Sequence, residues 1–296
     1  MQHESRATTA PTGGPATTAT PGGPTPESKG VLSPGRAAPM VSIDRYRPSA
    51  ELAPFVRHYW IPRWHLPAGA THEERLLQYA TCNLVVADDY AAVFGLARGV
   101  GSRILTGDGW AFGVMLQPGT ARALIGAGRS VDSLADRPEP LDALAGGDGG
   151  LAERIRSLRH DDTGMVAAFE QWLRARRLDA EQGALINAVV DAVETDPGIR
   201  SVDDLARRFG LGVRSLQRLT AEFVGINPKW LLQRQRLQDA AARLRAEPST
   251  GLAALAAELG YADQAHFSRD FASVVGLAPG EYSRTVQAET GSDVSE

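Results

Sequence analysis

Arg214, Gln217 and Arg218 lie three and four residues apart, and Gln264 with Ser268 and Ala265 with Arg269 repeat the four-residue step further along the chain. At that spacing each set falls on one side of a helix. Planar, multiply donating side chains on one helix face suit the edges of base pairs. A guanidinium grips guanine O6 and N7 with two bonds, and a carboxamide does the same for adenine N6 and N7. Ser215, Lys229 and His266 stand close enough in sequence to add contacts to phosphate or base. Phosphate contacts would position the protein without reading sequence. The bland alternative for every one of these residues is a solvated helix side.

Two related helical units must hold these faces. Residues 202–228 superpose on 252–279. Leu205, Ala206 and Phe209 before Gly210 match Leu255, Ala256 and Leu259 before Gly260, and Leu216, Arg218, Gly225 and Pro228 match Phe267, Arg269, Gly276 and Pro279. The offset is 50 residues at the first glycine pair and 51 at Gly225 and Gly276, so the second copy holds one extra residue in its turn. A short helix, a glycine turn and a second helix make the helix-turn-helix pattern. Ser201 and Asp204 form a capping box at the start of the first unit, with Asp203 and Asp204 set against the helix dipole. Leu216, Leu219 and Phe223 in one copy, and Phe267, Phe271 and Val274 in the other, form packing rows opposite the polar faces.

Between the units, Asn227 as N-cap and Pro228 at the first helical position start a connector that should end near Ala246, before Pro248. Nineteen helical residues span roughly 28 Å. That reach would place two recognition helices about one duplex turn, roughly 34 Å, apart in successive major grooves. From Arg200 to Arg245 ten basic residues face four acidic ones, whereas from Ala246 to Val286 two basic residues face five acidic ones. The first unit and the connector should therefore supply most of the attraction to phosphate, and the second unit mainly discrimination.

The run Gly260-Tyr261-Ala262-Asp263-Gln264-Ala265-His266-Phe267-Ser268-Arg269-Asp270-Phe271, followed by Gly276, Pro279 and Tyr282, closely resembles the AraC/XylS signature. The resemblance covers about 85 residues, from 200 to 285, with both units in order. It implies sequence-specific binding to double-stranded promoter DNA and control of transcription, usually activation through contact with RNA polymerase. Thr220 departs from it, because the family more often places a core aromatic there. A threonine would leave space or call on Phe223 to fill it. More loosely, Leu52-Ala53-Pro54-Phe55-Val56-Arg57-His58-Tyr59-Trp60 and Ala111-Phe112-Gly113-Val114-Met115-Leu116-Gln117-Pro118-Gly119 are similar to effector or dimerisation domains that precede this module. That likeness implies a cupin-like β-barrel, a small-molecule effector and a possible homodimer, without identifying the ligand.

Before the repeat, the apolar runs Cys82–Ala87, Ala91–Leu96, Ser102–Leu105 and Trp110–Leu116 are separated by turn residues and read as strands of an antiparallel sheet or barrel. From Leu151 the apolar period becomes helical. The fold class expected is α+β, an N-terminal β-rich cupin-like domain followed by an all-α domain of two helix-turn-helix units joined by a linker helix. The expected divisions are a disordered Pro/Gly/Thr/Ala-rich tail over 1–39, a sensor or dimerisation domain with C-terminal helices over 40–195, the DNA-binding domain over 196–286 and a disordered tail over 287–296. Glu194 to Arg200 is the expected joint, and Met40 a possible second start of translation.

The 296 residues allow about two domains. Hydrophobic residues make up 43% and charged ones 22%, and no apolar run is long enough for a membrane span. A net charge of -4 argues against indiscriminate nucleic-acid binding. Cys82 alone can form neither an intrachain disulfide nor a thiolate cluster, which fits a cytoplasmic address. A buried inert thiol is the simpler reading of it. His58, His65 and His72 with Glu73 and Glu74 lack the pairing of a metal site, and surface or packing roles are simpler. Gly99-Val100-Gly101 lacks the third glycine of a dinucleotide loop. Tyr59, Trp60 and Trp64 could line a ligand pocket or simply fill the core. No cofactor is expected, and no nucleophile, base or metal constellation emerges over 41–180, so the chain is expected not to be an enzyme. The alternatives are a DNA-binding scaffold without a ligand, or an enzyme with a DNA-binding appendage.

Overall fold

Short apolar runs in the first half of the chain build strands, those over Asn83–Ala87 and Asp108–Leu116 being buried along nearly their whole length, and helical periodicity takes over after residue 150. The computed structural model describes residues 41–292, apart from 77–78, 97–100, 127 and 136. The tail expected over 1–39, Met40 and most of the Gly99-Val100-Gly101 run lie outside the described residues.

The strands are β1 (Val41–Tyr46), β2 (Val56–His65), β3 (Thr71–Leu76), β4 (Asn83–Ala87), β5 (Ala91–Phe94), β6 (Gly101–Thr106), β7 (Asp108–Leu116) and β8 (Glu139–Pro140). All pairings are antiparallel. Six strands form one sheet in the order β1-β2-β7-β4-β5-β8, and β3 pairs β6 in a separate ribbon. Of the two arrangements expected, sheet or barrel, the described strands form an open sheet. β4 to β7 fall where the apolar runs predict them. β1, β2 and β3 carried no such signal. Pro62 interrupts the reading of β2, and the β2–β7 register runs from Trp60↔Gly113 to Arg63↔Trp110, passing over it.

The helices are α1 (Thr120–Ile125), α2 (Leu151–Ser157), α3 (Asp162–Ala175), α4 (Ala180–Thr195), α5 (Val202–Arg208), α6 (Val213–Phe223), α7 (Pro228–Ala246), α8 (Leu252–Glu258), α9 (Gln264–Val275) and α10 (Pro279–Ser292). One face of the sheet packs on α1, α2 and α3 through a core that includes Tyr59, Leu84, Phe112, Leu124, Ile155, Phe169 and Leu173. Cys82 belongs to this core, and burial pushes its thiol up to about 12. Tyr46 Oη donates to Asp162 at 2.7 Å, pinning the start of α3 to β1.

The helical half has two cores. Ile186, Val189, Val190 and Val193 of α4 share one with Leu205, Leu216, Leu231 and Leu232, and Ala80 and Leu96 from the sheet domain join it. The other is made of Leu237, Ala240 and Leu244 with Leu255, Phe267, Phe271, Tyr282 and Val286. The single helix α7 thus gives its first half to one unit and its second half to the other. Its α10 neighbour continues to Ser292, so the unstructured tail expected from 287 is corrected at least that far. Val286 is buried (4% exposed) and anchors the last turns.

Candidate nucleic-acid interface

Local chemistry places each unit as the repeat requires. Ser201 Oγ accepts the Asp204 N–H at 3.1 Å and donates to Asp204 Oδ2 at 2.7 Å, while the Arg200 N–H reaches the same carboxylate at 3.2 Å. Those bonds, the Ser201 hydroxyl foremost, hold the Asp204 carboxyl below its usual range. Gly210 and Gly260 enter the two turns at φ of 61° and 80°, a left-handed conformation that costs glycine little. Asp263 caps α9 by accepting the His266 N–H at 2.7 Å. Asn227 caps α7 by accepting the Trp230 N–H at 2.8 Å.

On α6, Leu216 is fully buried while Arg214, Gln217 and Arg218 are exposed and Ser215 is half-buried. On α9, Phe267 and Phe271 are fully buried while Gln264, His266 and Arg269 are exposed and Ser268 is half-buried. Lys229, on the first turn of α7, is exposed as well. The polar residues of each recognition face are therefore brought together, on two helices held by one beam. His266 does more than face outward. Its Nε2 lies 3.4 Å from Asp270 Oδ2 and its ring meets the edge of Tyr261 at 5.1 Å. Gln233 of α7 donates to the same Asp270 carboxylate. Burial first, and Asp270 second, push the Tyr261 hydroxyl up to about 12.

Thr220 stands in the interior of the first unit. It is fully buried, and its hydroxyl donates back to the Gln217 carbonyl at 3.2 Å. Arg234, counted among the basic surplus, is only 2% exposed, with its guanidinium 4.8 Å from the Trp230 ring and its pKa pushed down to about 10 by burial. It belongs to the scaffold. Val213, exposed at the start of α6, was not singled out by the polar pattern. An apolar side chain there suits a thymine methyl group.

The helix α4, which shares the first unit's core, is bonded to the sheet domain. Arg57 Nη1 donates to both oxygens of Glu194 at 3.0 and 2.8 Å. Asn187 Oδ1 accepts the Gly119 N–H at 2.8 Å, and its Nδ2 donates to the Pro54 carbonyl at 3.1 Å. Other sequence candidates are dispersed. His58 lies on β2, His65 makes an ion pair with Asp108, and His72 lies on β3. Among the described residues no three metal-ligating side chains converge. Tyr59 is in the core, whereas Trp60 donates to Asn83 Oδ1 at 3.3 Å and Trp64 to the Thr106 carbonyl at 3.3 Å on the outer face. No described helix is long and apolar enough to cross a membrane.

Residues 205–285 match a helix-turn-helix domain family, and residues 44–139 match a domain of unknown function (DUF6597). No curated protein matches the chain in sequence. Among solved structures the chain is similar to the C-terminal domain of AraT, a response regulator from Geobacillus stearothermophilus, at 22% identity over 34% of this chain and 84% of that one, with a TM-score of 0.30. It is similar to ToxT from Vibrio cholerae O395 at 12% identity over 84% of this chain and 98% of that one, with a TM-score of 0.35. Unsaturated fatty acid bound wild-type ToxT from Vibrio cholerae strain SCE256 gives 12% identity, 84% and 96% coverage and a TM-score of 0.36. Likenesses this distant transfer no site.

Proposed function

We infer that this chain, a transcriptional regulator with an AraC/XylS-type double helix-turn-helix domain, reads two adjacent major grooves of promoter DNA with α6 and α9. The observation that carries this reading is the pair of exposed polar faces at equivalent positions of the repeat, bridged by one helix whose halves belong to the two cores. Arg214, Gln217 and Arg218 on α6, and Gln264, Ser268 and Arg269 on α9, are the base-reading candidates. Ser215, Lys229 and His266 are the candidates for positioning contacts. The sheet domain is the sensor or dimerisation part, the protein works in the cytoplasm, and its output is activation through RNA polymerase. No catalytic role is assigned to any residue.

Unbiased selection of oligonucleotides by the full-length protein tests the reading. The expected product is a site with two conserved blocks about one helical turn, roughly 10 base pairs, apart. A single block, or no enrichment at all, would refute it.

A further inference from the structure

The ten basic residues from Arg200 to Arg245 do not all remain for DNA. Arg207 donates to Asp204 at 2.6 Å and Arg243 to Glu258 at 2.7 Å. Arg236 donates to the Arg200 carbonyl, and Arg234 is buried. Arg214 and Arg218 are exposed, and their side chains make no hydrogen bond or ion pair with any described residue. The same holds for the side chains of Gln217, Gln264 and Arg269. Their donors are left for whatever the two recognition faces meet.

Past their turns the two copies run at an offset of 51 residues, which sets Val213 against Gln264, Arg214 against Ala265, Gln217 against Ser268 and Arg218 against Arg269. α6 begins at Val213 and α9 at Gln264, so equivalent residues occupy equivalent turns. The packing position keeps its character, with Leu216 and Phe267 both fully buried. The leading outward positions do not. α6 presents an apolar group and then a guanidinium, whereas α9 presents a carboxamide and then a methyl group, and all four side chains are exposed. These first-turn residues are the ones a recognition helix brings to base edges. An apolar side chain packs on the thymine methyl group, a guanidinium takes guanine O6 and N7, and a carboxamide takes adenine N6 and N7.

We propose that the two half-sites are chemically unlike: the block under α6 carries thymine against Val213 and guanine against Arg214, and the block under α9 carries adenine against Gln264 and thymine against Ala265. Arg218 and Arg269, alike at the equivalent position, meet a feature common to both blocks. The proposal rests on the reading of α6 and α9 as DNA-reading helices and goes beyond it by assigning bases to each. Val213 and Ala265 are then specificity-determining residues although neither side chain forms a hydrogen bond. Apolar and polar side chains are exchanged between the two helices at both leading positions, so neither helix suits the other's block. Set over the wrong block, Val213 would leave an adenine N6 unpaired and Arg214 would point its donors at a thymine methyl group. A chain reversed on its site loses both contacts at once, and the site therefore fixes the direction in which the protein lies.

The test selects sites from randomised duplex DNA with full-length wild type and two exchange variants, Val213→Gln with Arg214→Ala, and Gln264→Val with Ala265→Arg. All four positions are exposed, and the melting temperature of each variant reports that it folds. The first variant should replace thymine and guanine by adenine and thymine in one block and leave the other block as it was, and the second variant should do the converse. In titrations at one salt concentration, changing the guanine assigned to Arg214 into adenine should lower wild-type affinity by about tenfold to a hundredfold, and Arg214→Ala should bind both duplexes alike. Uracil in place of the thymine under Val213 removes only the methyl group and should cost the wild type about fourfold, with no effect on Val213→Ser. Wild-type blocks with the same bases at these places, an exchange that leaves both blocks unchanged, or one that alters the other helix's block overturns the proposal. An exchange variant that selects nothing is decided by the titrations, where equal wild-type affinity for the guanine and adenine duplexes overturns the proposal. Two blocks whose bases ignore the exchanges refute the assignment alone, whereas no enrichment by the wild type refutes the two-groove reading beneath it.

Discussion

The worth of a guanidinium at a DNA surface depends on its neighbours as much as on its own reach. Arg218 projects from the basic first unit, whereas Arg269 has Asp270 beside it and Asp263 at the cap of its helix. Arg218→Ala should cost about 1–3 kcal/mol of affinity, and Arg269→Ala less affinity but more discrimination between sites. Equal losses in titrations at one salt concentration would contradict this. His58 shows the same dependence on surroundings in the sheet domain. Burial first, then the charges of Arg45 and Arg57, pull its pKa down to about 4 from an ordinary 6.5. The folded chain refuses a proton that the unfolded chain accepts between those values. The stability this contributes is full above pH 6.5 and is lost as pH falls toward 4, by up to about 3 kcal/mol. His58→Gln should flatten that part of the denaturation profile, and an unchanged slope would show that other groups set it. Cys82, 3% exposed with its thiol pushed up to about 12, should react with a disulfide reagent only as the domain unfolds.

At the scale of elements, caps decide how far each helix can be trusted to hold its face. Asn227→Ala removes the acceptor for the Trp230 N–H and should destabilise the protein by about 1 kcal/mol, measured as a shift in denaturant midpoint. A larger cost would mean that fraying at α7 is transmitted to both units. These caps are also why the helical half was legible. Ser201, Asn227-Pro228 and the paired Gly210 and Gly260 state their roles within a few residues of sequence, and the repeat supplies each signal twice. β2 was not legible, because Pro62 breaks a run that only its place between β1 and β7 makes a strand. The cleft that Arg122, Leu178 and Glu222 line could not be found this way either. These residues are far apart in the chain, and nothing local to any of them signals that three elements meet there. Arg234 misled the charge count for a related reason, since periodicity marks a buried face only where the residues on it are apolar.

At the scale of the molecule, the two units differ in what completes them. The second finds its core within residues 237–286, while the first borrows Ile186, Val189, Val190 and Val193 from α4, and Ala80 and Leu96 from the sheet domain. Apolar periodicity shows that α4 buries one face without showing what covers it, so an expected division at 195 and 196 runs between a helix and its partners. Each buried side chain of that kind contributes about 1.5–3 kcal/mol, and four of them outweigh what one short helix pair can lose and remain folded. A fragment of residues 196–292 should therefore keep α8 and α9 protected from hydrogen exchange while α5 and α6 exchange freely, and a fragment of 179–292 should restore protection to α5 and α6. Equal protection of both units in the shorter fragment would show that α4 is dispensable. With α4 present, Arg57 and Asn187 still tie it to the sheet domain in the whole chain. Among the described residues the first unit thus shares its core with the sheet domain through α4, Ala80 and Leu96, and α7 joins the second unit to it.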